Sequence, residues 1–576
     1  MSMNAYDSIY SVLLEITGRD AQVTFSLSKT EDSFHGDYAT NIAFILGKQK
    51  NISPKEYAEE VIPMLKEKLS SVVRDIEVAG GGFINFFLKD SVIRERNENV
   101  TISIRNKYFD KTVLVEHSSP NLFKPFHVGH LMNNIIGMFI TRAIASGGGN
   151  VQEMSFPSDV SLGIAKGMYI LLEDKKQGVV IESKTDDEQI IYFGEVYKRG
   201  VDYFDEHPDE LQKAKDIAHI IFDESSLSEE YRIYNFVKEK NINYFITILQ
   251  GLGSHMLSEN GIILESSAGA RGKKIVDDNT GDGKVFIKSQ GATIYTPDES
   301  RKDINTAVFI NSEGYPTYEA KDLGLIELKF EKYNPAISFT VTDQEQISHF
   351  KVVDAAASTL GGEWPERVEK SIHIPHGRML FKGAKMSSRL GGVPLALDVI
   401  GVVEEEVRER AGEKIAHLET DERKKLEREI ALSALRVAVL RSKPGININF
   451  DPESSLSFEG DSGPYLLYTH ARCSSLLEKS GFTPLAWSDI PVTSLEKKLF
   501  HFEEELTYVS NELAPQQLVT YLFSVAQLFN AYYAITQILV EGDDVGNAHR
   551  LMIVKRTKEV LRKGLYVLGI EAPERM

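Results

Sequence analysis

Two histidines three residues apart with a glycine between them, His127-Val128-Gly129-His130, are the first residues of this chain whose types and spacing point to chemistry. Imidazoles donate hydrogen bonds to anionic oxygens, and a glycine lets backbone N–H groups come close to a nucleotide phosphate. With 14 histidines and 42 glycines in 576 residues, such a pattern arises by chance in about one of forty similar chains, so context must decide its meaning. A pair of surface histidines is one competing reading. Half a zinc site is another, but zinc needs three or four ligands and no cysteine or histidine pair with ligand spacing lies nearby. Far downstream, residues 377–389 read G-R-M-L-F-K-G-A-K-M-S-S-R, a glycine-rich, basic, serine-containing loop. Taken alone that is an exposed turn.

The elements around the first motif are those that would present it to a phosphate. Residues 113–115 are a short apolar run that predicts a buried strand, followed by a turn-rich loop, Ser118-Ser119-Pro120-Asn121. A second loop over 124–130 delivers the histidines, and the apolar periodicity of 131–144 predicts a helix of about four turns. Strand, loop and helix in that order open a nucleotide-binding parallel sheet, with an anion site at the helix N-terminus. Residues 151–156 predict the second strand, ending at Pro157-Ser158-Asp159. Helical patterns follow over 188–204, 208–222 and 229–252, then a strand-like part near 275–294. The run D-D-N-T-G-D-G-K (277–284) lacks the spacing and closing glutamate of a calcium loop and predicts a hairpin turn. The sheet is expected to resume at 306–310, with further strands over 337–341 and 370–374. Between them, residues 315–322 open a helix that sets Tyr318 and Asp322 one turn apart on one face. Strands alternating with helices predict a doubly wound α/β domain.

The H-V-G-H motif resembles the H-I-G-H signature of class I aminoacyl-tRNA synthetases, and K-M-S-S-R (385–389) resembles their K-M-S-K-S signature. The longer stretch V-E-H-S-S-P-N-L-F-K-P-F-H-V-G-H is similar to the form found in arginyl-tRNA synthetases. So are F-H-G-D-Y-A-T-N-I-A-F (34–44) and G-G-G-F-I-N-F-F-L (80–88) in the N-terminal part, the stretch 450–475, and the ending L-G-I-E-A-P-E-R-M. The resemblance implies a Rossmann-like catalytic domain over 107–400 with a connective insertion at about 160–300. It further implies a small α+β tRNA-binding domain over 1–106 and an all-α anticodon-binding bundle over 401–576. The activity implied is ATP-dependent activation of L-arginine and its transfer to tRNA(Arg), with Mg²⁺ carried on ATP.

That resemblance assigns His127, His130, Lys124, Lys385, Ser387, Ser388 and Arg389 to catalysis. It assigns Gly129, Gly377, Met379, Lys385 and Met386, with both histidines, to ATP. A guanidinium is planar and permanently charged, so its site needs carboxylates in bidentate reach together with an acceptor or stacking ring. Glu116, Asp322 and Tyr318 match that need, and Asn121 and Gln346 match the positions that take the α-amino end. Three departures stand out. Ser388 replaces the second lysine of the loop signature, with Lys124 in the place thought to compensate; Met132 replaces a usual arginine; and F-P-S-D-V-S replaces H-V-G-D-W-G. A chain that binds tRNA without charging it is the competing reading these departures support. A ligase for another amino acid is the second, which Glu116 and Asp322 oppose.

Composition bounds the rest. The length suggests three or four domains, and 42% hydrophobic with 26% charged residues is usual for a globular protein. The single Cys473 rules out an intrachain disulfide, gives no structural zinc, and fits a reducing cytoplasm. The first residues lack the pattern of a signal peptide, and no run approaches the roughly 18 apolar residues of a membrane span. A monomer is expected. The net charge of −19 opposes nucleic-acid binding at first sight. Residues 549–563, however, contain one acid among many bases and could form a phosphate-contacting strip. Tyr465, Tyr468 and Tyr532 are expected as core residues rather than base-stacking platforms.

Overall fold

The computed structural model describes residues 5–18, 23–30, 33–98, 104–223, 228–254, 259–298, 301, 303–382, 394–415, 418–481 and 486–576. The N-terminal part runs α1 (Ala5–Ile16), β1 (Leu27–Lys29), β2 (Tyr38–Thr40), α2 (Ile42–Lys50), α3 (Pro54–Lys68), β3 (Val73–Ala79), β4 (Phe83–Leu88) and α4 (Asp90–Glu98). Its strands pair antiparallel in the order β1-β2-β4-β3. Helix α3 starts sharply because Ser53 and Glu56 form a reciprocal capping box and Pro54 fills the first turn. Strand β1 starts at Leu27, directly after Ser26 gives its N–H to the Asn41 side chain (2.7 Å).

The middle of the chain opens with β5 (Thr112–Glu116), α5 (Val128–Ser146) and β6 (Asn150–Met154). Five helices follow: α6 (Leu162–Lys176), α7 (Asp186–Glu206), α8 (Leu211–Phe222), α9 (Glu229–Gly251) and α10 (Glu265–Asp278). Then come β7 (Phe286–Ser289), β8 (Ala292–Tyr295), β9 (Ala307–Ile310), α11 (Tyr318–Tyr333), β10 (Ile337–Asp343), α12 (Ile347–Thr359), α13 (Trp364–Glu369), β11 (Ser371–His376) and β12 (Met379–Phe381). The central sheet is parallel throughout, in the order β11-β10-β5-β6. Strand order reverses on either side of β5, so the crevice between β5 and β10 is the switch point where ligands of such sheets bind.

Two expectations are corrected here. The strand at 306–310 belongs not to this sheet but to a small antiparallel one, β7-β8-β9, and the parallel sheet resumes only at β10. A central parallel strand is buried on both faces, whereas Val308 of β9 faces solvent. The run 277–284 is not the hairpin turn either: it ends α10 and leads into β7. The hairpin turns at Gln290-Gly291, both with positive φ (49° and 83°), as a tight two-residue turn requires.

The remainder is α14 (Ala396–Ile415), α15 (Thr420–Leu440), β13 (Ile448–Phe450), α16 (Pro452–Ser455), α17 (Gly463–Lys479), α18 (Ser494–Phe500), α19 (Phe502–Glu512), α20 (Pro515–Ile535) and α21 (Asp544–Val567). Strand β13 interrupts a tail expected to be wholly helical. It pairs in parallel with β12 and ties the stretch after α15 back to the sheet domain. By length and composition α20 could cross a membrane, contrary to the expectation that no segment could. Here it is a bundle helix with Leu518, Leu522, Val525, Ala526 and Phe529 buried. One apolar core runs without a break from α5 through the insertion into α15 and α17–α21.

Candidate active site

Strand β5 alternates its faces. Val113 and Val115 enter the core shared with α5, while Leu114 packs with Met154 and Leu325 on the other side. Period-two alternation therefore sends Glu116 toward α11 and leaves the loop after it to carry the histidines. That loop holds two non-glycine residues at positive φ, Ser118 (55°) and Phe123 (64°), the kind of backbone strain that collects at functional sites.

The helix begins three residues earlier than expected, because His127 is its N-cap and the motif forms the first turn. His127 Nδ1 accepts from the Gly129 N–H (3.1 Å), and His130 Nδ1 accepts from the His127 N–H (3.2 Å). The two rings stack with centroids 3.8 Å apart. With Nδ1 accepting in both, each proton sits on Nε2, so each imidazole offers one donor. Burial lowers the pKa of both, helped by Lys124 beside them and, for His130, by His127. They are neutral donors. A Cβ on Gly129 would lie 2.9 Å from His127 Cε1, so the glycine here makes room for the imidazole folded back over the helix start.

Lys385, Met386, Ser387, Ser388 and Arg389 lie outside the described residues, but both flanks of their segment are anchored. On one side Lys382 N–H donates to Phe450 O (2.9 Å), and Arg378 ion-pairs with Glu345 and, at 3.8 Å, with Asp343 at the end of β10. On the other, Val128 N–H donates to Pro394 O (2.9 Å), and Ala396 N–H to Phe126 O (2.8 Å). Pro394 and Ala396 thus lie against the first turn of α5. Gly377 fits where a Cβ would lie 2.4 Å from Ile446 O, and the Met379 side chain is buried against the β12–β13 pair. Met132 is buried beside His376 and Gly377. In the F-P-S-D-V-S departure, the buried Asp159 accepts from Ser266 N–H (2.8 Å) and Oγ (2.7 Å), holding the start of α10.

Glu116 and Asp322 line one cavity, together with Lys329, Thr340, Phe350, Asp354 and His373. Neither carboxylate is without a partner. Glu116 is ion-paired with the buried Lys329 and accepts from Thr340 Oγ1 (3.1 Å). Asp322 Oδ2 is 2.5 Å from His349 Nε2, and Glu319 lies 3.7 Å from His349 Nδ1. Those carboxylates raise the His349 pKa to about 10 against burial, which alone would lower it. Asp354 is pushed up to about 6 by burial and by Asp322. Tyr318 stands one turn before Asp322 but is 61% exposed and does not line the cavity. Asn121 pairs through its backbone with Ser158, and Gln346 is exposed at the C-terminal end of β10.

Lys329, His349 and Asp354 escaped the reading of the sequence. Lys329 follows Asp322 by seven residues, two helical turns, and that spacing was a legible sign of a shared face. Nothing local marked His349 or Asp354, because α12 brings His349 against Asp322 and Asp354 to the cavity wall. The arrangement as a whole pairs neutral donors and a helix N-terminus, suited to phosphate oxygens, with an acidic cavity suited to a cation.

Residues 94–451 match the family model described as tRNA synthetases class I (R), catalytic domain. Residues 5–88 match the arginyl tRNA synthetase N terminal domain, and residues 466–576 the DALR anticodon binding domain. The chain is 29% identical over 561 residues to an arginine–tRNA ligase of Alteromonas mediterranea, covering 94% of each. It is 26% identical over 576 residues to one of Psychromonas ingrahamii, covering 98% of this chain and 97% of that one. In fold it is similar to the Thermus thermophilus arginyl-tRNA synthetase, with a TM-score of 0.79 at 23% identity over the full length of both.

Proposed function

The chain belongs to the class I tRNA synthetases in their arginine form, and we propose from that premise how its own residues carry the reaction. It is an arginine–tRNA ligase. The arginine carboxylate attacks the α-phosphorus of ATP in line, the bond to the β-phosphate oxygen breaks, and pyrophosphate leaves. The terminal adenosine 2′-hydroxyl of tRNA(Arg) then attacks the adenylate carbonyl, gives up its proton, and AMP leaves. Mg²⁺ arrives on the triphosphate as part of the substrate.

His127 and His130 donate Nε2–H to the phosphates at the N-terminus of α5, where the helix dipole favours the same negative charge. Lys124 adds a cation beside them, in the place of the lysine absent from the K-M-S-S-R loop. Lys385, Ser387, Ser388 and Arg389 take the pyrophosphate end, with Gly377, Met379 and Met386 around the adenosine. Asp322, Glu116 and Tyr318 take the guanidinium, and Asn121 and Gln346 the α-amino group. Lys329 is already paired with Glu116 and His349 with Asp322, so the guanidinium meets both carboxylates with a protein cation behind each.

One observation carries this reading. The histidine pair is built as a reciprocal cap that leaves both Nε2–H groups without a partner among the described residues, at the same sheet edge as an acidic cavity. Arginine-dependent ATP–pyrophosphate exchange, run with tRNA present, tests it. Exchange with arginine alone among the amino acids is expected. Binding of tRNA without exchange would instead favour the non-charging reading that Met132 and Ser388 support.

A further inference from the structure

Cationic protein groups already contact both carboxylates assigned to the substrate guanidinium. Lys329 lies against Glu116 from the same helix that carries Asp322. His349 is different, because it comes from α12 and meets two acids of α11 at once. Its Nε2 is 2.5 Å from Asp322 Oδ2, and its Nδ1 is 3.7 Å from Glu319 Oε1. A neutral imidazole has one N–H, so two carboxylates facing its two nitrogens require the imidazolium. The other titratable groups around it are Asp354 on α12 and His373 on β11, with Lys329 beyond Asp354. His373 stays neutral, its pKa lowered to about 4 by burial and by the charges of His376 and His349. The imidazolium is therefore the nearest cation to Asp322.

We propose that His349 is a specificity-determining positioning residue of the arginine site: it fixes Asp322 through Oδ2, braced by Glu319, and leaves Oδ1 for the guanidinium. This rests on the reading of Asp322 as a substrate carboxylate. A carboxylate free to rotate on an exposed helix start would offer its oxygens in many orientations; one oxygen held from behind offers the other in a single direction. A planar fork of donors gains from that fixed direction, whereas a lysine-like point charge gains little. The carboxylates of the cavity favour a cationic ligand, which disfavours the neutral ureido analogue citrulline.

The test compares His349→Ala and His349→Gln with the wild type in arginine-dependent pyrophosphate exchange with tRNA present. Removing one charge-assisted hydrogen bond predicts a KM for arginine raised roughly ten- to a hundredfold in His349→Ala, with a much smaller change in kcat. The His349→Gln side chain keeps an N–H donor and is expected to recover most of that loss. An unchanged or lowered KM in His349→Ala, or equal losses in Ala and Gln, overturns the assignment. Should either variant misfold, ¹⁵N-histidine NMR of the wild type decides: an imidazolium signal from His349 persisting at slightly alkaline pH is expected, and a neutral ring overturns it. Failure of wild-type exchange would instead count against the functional reading of the whole site.

Discussion

At the scale of single residues, the site divides into donors that must stay neutral and acids that must stay charged. His127 and His130 are held below the usual imidazole pKa by burial, so neither changes state as pH rises from neutrality. His127→Ala should slow single-turnover adenylate formation by roughly two to three orders of magnitude, the scale for losing one preorganised donor. An unchanged rate would remove His127 from the chemistry. On the acidic side, Asp354 has its pKa raised to about 6 and contributes negative charge to the cavity it shares with Glu116 and Asp322 above that value. Protonation cancels that charge as pH falls, so kcat/KM for arginine should decline below about pH 6 in the free enzyme. Asp354→Asn should flatten that limb of the profile. His349 acts on stability in the other direction. Its folded pKa of about 10 exceeds the ordinary 6.5, so the stability it adds is complete below 6.5 and is lost as pH climbs to about 10. Thermal midpoints of the wild type should fall over that window more than those of His349→Gln.

At the scale of elements, the position of Asp322 depends on how closely α10 and α11 cross. A Cβ on Gly324 would lie 2.0 Å from Ala268 O, so the two backbones touch there with no room for a methyl group. Gly324→Ala should push the helices apart at a cost of about 1–3 kcal/mol or more, the range for overpacking. Because Asp322 is two residues away on the same helix, weaker arginine binding should accompany the loss. Calorimetric unfolding and arginine titration of one variant sample check both parts, and a stable variant with normal affinity would show the crossing to be irrelevant. The start of α5 was also set at this scale. Apolar periodicity placed it at Leu131, whereas the capping by His127 and His130 places it at Val128. Periodicity detects the buried stripe of a helix but not a first turn whose residues face the site.

At the scale of the whole molecule, the surface charge is arranged differently from what the sequence suggested. The basic stretch 549–563 lies on α21, where most of its cations pair with carboxylates of the same chain. Arg550 pairs with Asp543 (2.9 Å), Arg556 with Glu503 (2.8 Å), Lys558 with Glu574 (2.6 Å) and Arg562 with Glu559 (2.7 Å). The Arg556–Glu503 pair is buried at 1% and 5% side-chain exposure, so losing Arg556 leaves the buried carboxylate with only the more distant Arg96 at 3.5 Å. Arg556→Ala should lower unfolding free energy by about 3–5 kcal/mol in urea titration. A smaller loss would mean that Arg96 or water takes over the contact to Glu503 in the variant. Other buried links join the domains. Arg142 of α5 donates to Tyr566 O (3.0 Å), Arg436 to Leu252 O (2.7 Å), and Asn97 to Glu496 O (2.9 Å). The catalytic helix, the end of the insertion and the C-terminal bundle thus share one core, and the N-terminal domain rests on the bundle.

Local order was legible because it is written in neighbours. The strand–loop–helix of β5 and α5, the Tyr318–Asp322 helix start and helices α7, α8 and α9 of the insertion follow from spacing within a few residues, and the structure reproduces them to within a turn; α6 and α10 were not foreseen, and Ile275–Asp278, expected as strand-like, ends α10. The three-part architecture was legible as well, through motifs that resemble a family. Sheet membership was not: a four-residue strand such as β9 carries too little pattern to tell a parallel sheet from a small antiparallel one. Nor were the partners of Glu116 and Asp322. The sequence by itself named those acids and the histidines, since residue type and position relative to a strand end or helix start are local properties. Only the tertiary structure decided that Lys329 neutralises one acid while His349, delivered by α12, holds the other. Electrostatic pairing depends on distance in space, and helix packing sets that distance between residues far apart in the chain.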